Sequence, residues 1–167
     1  MKRYLTLIIL YISCISAQVT ENTNLRLKSM VLPGWGEQCL GESKRAKQFF
    51  IREAVLWLIY INSKKTANTY QSNYIAFAQL HANAEMEGKN YLFSVNMGHY
   101  NSLEEFNNTK GRKRLVEDQY GEGQGFEWRW DNDENRTKFD AMRINSVSFD
   151  KCSRFAIGGL ILNRLVS

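Results

Sequence analysis

Between residues 49 and 61 the chain reads FFIREAVLWLIYI, apolar on every side of a helix except at Arg52 and Glu53. A helix that is apolar all round belongs in a large core or in lipid. Beyond it the rhythm changes. Ala67, Tyr70, Tyr74, Phe77, Ala78, His81 and Ala84 recur at three- and four-residue intervals, the stripe of a one-sided helix. No glycine or proline stands between Gly41 and Gly88, so one long helix is predicted, bent near 62–66 if anywhere, with Gly88 as its stop.

Upstream, residues 18–24 are a polar leader. Leu25, Leu27, Met30, Val31 and Leu32 alternate with Arg26 and Lys28 as a short amphipathic helix or a short strand. Downstream, 89–100 is mixed and predicts an extended or irregular segment. Ser102 with Glu105 has capping-box spacing and predicts a helix of two to four turns. Asp131 with Glu134 repeats the box in its Asp form and predicts the start of a final helix. The buried stripe of that helix is read as Phe139, Met142, Ser146, Phe149 and Phe155/Ala156. From Phe155 the helix turns apolar, FAIGGLIL, with Gly158-Gly159 open to close approach by another helix. The pattern is still helical at Ser167, which predicts that the natural chain continues.

The predicted fold is all-α: two long helices with adjacent, membrane-associated apolar ends (about 46–61 and 155–166) and a small helical soluble cap (about 63–152). Antiparallel packing of the two helices brings their apolar ends together. The thirteen residues 49–61 rise about 20 Å, against a hydrocarbon layer of about 30 Å. Residues 49–61 therefore fit a half-inserted or re-entrant helix, or a transmembrane helix prolonged by the polar residues that follow. Glu53 has no basic residue three or four positions away, and an unpaired buried carboxylate is costly. An arginine from the other apolar helix, Arg154 or Arg164, is its predicted partner.

The first apolar helix is introduced by Pro33-Gly34-Trp35-Gly36. Pro33, the one proline in the chain, stops any helix before it, and the glycines permit a sharp reversal. Trp35 suits either a membrane–water boundary or a plugged core. Ser43 reads as the next N-cap, yet Lys44, Arg45 and Lys47 follow it, where cations oppose the helix dipole. Attraction to anionic headgroups explains them, as does a solvated basic patch.

Leu32-Pro33-Gly34-Trp35-Gly36, a glycine five residues on, the Lys/Arg cluster and Glu53-Ala54-x-x-Trp57 together resemble bacterial envelope proteins of domain-of-unknown-function family 5683. The run from Trp128 through Trp130-Asp131 to Asn135-Arg136 and the closing Asn163-Arg164-Leu165-Val166-Ser167 extend the resemblance over most of the chain after residue 28. The commoner family pattern has Gln directly after the second glycine, whereas here Glu37 precedes Gln38. The resemblance implies export and membrane association, and no known activity.

Residues 1–17, with Lys2 and Arg3, an apolar stretch and small residues before Gln18, read as a signal peptide cleaved after Ala17. That leaves 18–167 as a single helical membrane-associated domain. Losing Lys2 and Arg3 lowers the formal net charge from +5 to +3, far from the basic stripe of a nucleic-acid binder. Cys14 lies in a poor lipobox. Cys39 and Cys152 read as buried free thiols, with a disulfide as the alternative.

Chemistry is sparse. HExxH, CxxC and GxSxG are absent, and GEGQG lacks the lysine and Ser/Thr of a phosphate loop. Neither a metal site, a cofactor nor a catalytic group is predicted. The candidate binding residues are Pro33, Gly34, Trp35, Gly36, Glu53, Trp128 and Trp130. The last two flank Arg129 as a glycan or headgroup platform or as a core plug. The protein thus reads as an exported, membrane-anchored envelope protein with a structural or interaction role. Its partners would be the lipid bilayer and another envelope protein, not nucleic acid. The alternatives are a transport or assembly accessory with a polar spot in the membrane at Glu53, and a membrane-interface enzyme using His81 or His99 with Glu53, Asp140 or Cys152.

Overall fold

A computed structural model of the chain describes residues 24–121 and 123–167, with the backbone alone at 24–26. The predicted signal peptide and Cys14 lie outside the described residues. The elements are α1 (Asn24–Val31), α2 (Trp35–Cys39), α3 (Ser43–Ala82), α4 (Tyr91–His99), α5 (Leu103–Arg112), a 3₁₀ turn (Val116–Asp118) and α6 (Asp133–Val166). Among the described residues there is no strand, only an isolated antiparallel bridge between Ser102 and Arg129. The chain divides into two compact units. One runs up to Leu58 and takes in Ala156–Ser167; the other is Ile59–Phe155.

Along α3, residues 46, 49, 53, 56, 60, 63, 67, 70 and 74 are buried or half-buried, in alternating steps of three and four. That is the seam of a helix paired lengthwise with another. In the second unit its partner runs antiparallel: the Ser146 hydroxyl donates to the Ala67 carbonyl at 2.9 Å, Lys64 pairs with Asp150 at 2.6 Å, and Tyr74 meets Phe139 edge-on. The buried stripe of α6 is Phe139, Arg143, Ser146, Ser153, Ala156, Leu160 and Asn163. Phe149 and Phe155, predicted inside, are 37 % and 80 % exposed. Ser146, Ser153 and Ala156 occupy that stretch of the seam instead.

The core of the second unit is aromatic: Tyr74, Phe93, Phe106, Trp128, Trp130 and Phe139 with Met97 and four smaller apolar residues. Residues 128–131 thread through it as a strap. Trp130 N–H donates to the Asn101 carbonyl and Leu103 N–H to the Trp128 carbonyl. Arg129 and Asp131 N–H donate to the Ala82 and His81 carbonyls, both at 3.0 Å. Helix α3 leaves its last carbonyls unpaired within the helix, and the strap satisfies them.

Several boundaries differ from the sequence reading. Helix α3 stops at Ala82, not Gly88, because Asn83 takes the left-handed conformation (φ 49°) that ends a helix. Residues 91–99 are helical, not extended. The Asn90 side chain caps Phe93 N–H at 2.9 Å, and Phe93, Ser94, Met97 and Gly98 form one buried face. At α5 the Ser102 cap forms as predicted, and Glu105 reaches back to Asn101 N–H. The cap of α6 is Asn132, not Asp131, because the Asp131 carboxylate is occupied by His81 and Asn135. Cys39 and Cys152 are free thiols, and both are exposed rather than buried. No helix among the described residues is long and apolar enough to cross a membrane, so the transmembrane reading of 49–61 is withdrawn.

Candidate functional site

In the first unit two polar knots lie on a largely apolar pair of helices. The first is built by the Pro33–Gly36 turn. Gly34 has φ +90°, and a Cβ placed on it would lie 2.6 Å from the Ala46 carbonyl oxygen, so the turn presses its backbone against α3. Its N–H donates to the Ser167 hydroxyl at 2.6 Å, and Gly36 N–H donates to the Ser29 hydroxyl at 3.1 Å. Both hydroxyls in turn donate to one carboxylate oxygen of buried Glu37, at 3.1 Å from Ser167 and 3.5 Å from Ser29. Pro33, Gly34 and Gly36 are buried and Trp35 is half-buried.

The second knot surrounds Glu53. Of the two predicted arginines, Arg164 is the partner: its Nη2 lies 2.8 Å from Glu53 Oε1. Asn163 Nδ2 donates to the other carboxylate oxygen at 3.1 Å and to the Phe49 carbonyl at 3.2 Å, and Trp57 Nε1 donates to Glu53 at 3.2 Å. Burial pushes the Glu53 carboxyl up, but the Arg164, Asn163 and Trp57 donors outweigh it and hold it below the ordinary carboxylate value. Beside this knot Leu56 seats against Gly159, where a Cβ would come within 2.9 Å of its Cδ2.

Around these knots the unit is apolar outside as well as in. Ile51, Val55, Trp57 and Leu58 on α3, with Ile161, Leu162, Leu165 and Val166 on α6, are between 43 % and 68 % exposed. A groove of about 460 Å³ runs between the two helices, with Phe49, Val55, Leu162 and Val166 among its walls and Arg52 as its cation. The Arg52 guanidinium lies 5.5 Å from the centre of the Phe49 ring. Lys44, Arg45 and Lys47 are exposed in the first turns of α3. Among the described residues no carboxylate pairs with any of these four cations.

The other predicted residues belong to the second unit and do not converge on a site. Trp128 and Trp130 are core: both indoles are buried, and their N–H groups donate to the Tyr100 and Met97 carbonyls at 3.1 and 2.8 Å. No ring face is left for a glycan or headgroup. His81 pairs with Asp131 at 2.8 Å, while Asp140 is held by Arg143 at 2.6 Å. Hydrogen bonding from Asn135 and then His81 keeps the Asp131 carboxyl below its ordinary value. His99 and Cys152 are exposed. Among the described residues no cluster of three His, Cys, Asp or Glu groups could hold a metal ion.

Ser29, Glu37, Asn163 and Ser167 were not singled out by the sequence. A usable signal existed for Asn163 alone, a polar side chain inside an otherwise apolar run. No protein-family model, curated protein or solved structure matches the chain.

Proposed function

We propose that the first unit seats the protein in the surface layer of an anionic membrane, as a non-catalytic anchor for an exported envelope protein. The observation that carries this reading is the set of eight large apolar side chains left exposed on two packed helices, at residues 51, 55, 57, 58, 161, 162, 165 and 166. Apolar side chains exposed singly are ordinary, whereas eight gathered on two helix ends are not. Burying the part of each side chain that is still exposed contributes about 1 kcal/mol or somewhat more, since complete burial is worth about 1.5–3 kcal/mol. A helix lying in the interface needs no spanning length, so the lack of a crossing helix among the described residues is compatible with this seat.

The four unpaired cations support the choice of an anionic surface, each adding about 1 kcal/mol near such headgroups. In this reading the Glu53–Arg164 knot fastens the two apolar helix ends together, with the carboxylate accepting from Arg164, Asn163 and Trp57. The leader-like residues 1–17 support export and an envelope location. Washing membranes of cells that express the full chain with alkaline carbonate tests the reading. The protein is expected to stay with the membranes, and its release into the soluble fraction would overturn the anchor.

A further inference from the structure

We infer that the groove between α3 and α6 in the first unit is a binding site for a single anionic phospholipid, with one acyl chain in the groove and its phosphate on Arg52. The inference rests on the membrane reading above but goes further, since a membrane seat alone needs no defined lipid site.

Three features point to this ligand. The groove walls are almost wholly apolar, and its volume, about 460 Å³, lies in the range of small-molecule pockets. Asn163, the other polar residue in the lining, has its amide committed to Glu53 and the Phe49 carbonyl. Arg52 is therefore the one side-chain donor of the lining with capacity to spare, and Phe49, itself part of the wall, lies beneath the guanidinium. An open apolar groove with one uncompensated cation in its lining matches an amphiphile with an apolar tail and an anionic head. Guanidinium favours phosphate in particular, through paired N–H donors.

Electron paramagnetic resonance tests this with the full chain and phosphatidylcholine vesicles carrying either phosphatidylglycerol or phosphatidylcholine spin-labelled near the acyl terminus. The wild-type protein should produce a motionally restricted component that favours the phosphatidylglycerol label. Arg52→Gln should reduce that preference about fivefold, the factor set by one basic side chain at an anionic surface. Leu162→Trp, which fills the groove without lowering apolarity, should remove the restricted component with both labels, and Val55→Trp should do the same. All variants should still float with vesicles and keep their helical circular dichroism. If the protein floats but shows no restricted component, or if neither tryptophan variant alters it, the lipid site is wrong and the anchor stands. If the wild-type chain does not float at all, the anchor fails and the lipid site with it.

Discussion

Gly34 shows how little side-chain freedom the first unit allows. Its positive φ strains any other residue, and its missing Cβ is where the Ala46 carbonyl sits. Gly34→Ala combines left-handed strain with a backbone clash, and about 1–3 kcal/mol of stability should be lost. Chemical denaturation measures it, and an unchanged midpoint would refute the packing described for the turn. Pro33 and the glycines made this turn readable in the sequence, because proline and positive-φ glycine leave few alternatives. Glu37 was unreadable, since its hydroxyl partners come from Ser29 and from Ser167 at the far end of the chain. For Glu53 the absence of a local cation gave the argument, and Arg164 completes it.

The same contrast holds for elements. The existence of the two long helices was plain from their periodicity, but where they end was not. A local rule favoured Gly88 as the stop and Asp131 as the cap, yet asparagines do both jobs, at positions 83 and 132. Asp131 is unavailable because its carboxylate is held by His81 and Asn135. The inward stripe of α6 was read correctly at Phe139, Met142, Ser146 and Ala156 and wrongly only at Phe149 and Phe155, where periodicity left the choice between neighbouring positions open. The cap can be tested directly. Asn132→Ala removes the acceptor for Asn135 N–H and should cost about 1 kcal/mol. Asp131→Ala should leave the start of α6 intact while freeing His81. Comparing the two by denaturation and by amide exchange at residues 133–136 separates these assignments.

For the whole molecule, acid is the informative variable. The carboxyls of Glu53, Asp131 and Asp150 all lie below their ordinary values. Asp150 is lowered by hydrogen bonds from Lys64 and then Arg154, while at Glu53 the polar partners overcome burial. A carboxyl lowered on folding adds stability above its unfolded pKa, about 4. That contribution disappears as pH falls through the lower folded value. Melting temperature should therefore lose the support of these groups below about pH 4, and little of it between 5 and 7. The Arg164 side chain is 39 % exposed, so solvent screens its pair with Glu53. Glu53→Gln should then cost only about 1 kcal/mol at neutral pH and make the acid branch of the melting curve shallower. An acid branch as steep as that of the wild type would remove Glu53 from the account.

The strap at 128–131 bears on the order in which the protein takes shape during synthesis. The carbonyls of His81 and Ala82 are capped by amides that leave the ribosome long after the helix they complete. Until that stretch emerges, the His81 and Ala82 carbonyls have only water to bond, and the indoles of Trp128 and Trp130 are missing from the space beside them. A nascent chain halted before Phe126 should carry a frayed helix end and an unfilled aromatic core. Release from that state would need the strap and the first two turns of α6, through Phe139, but not the rest of that helix.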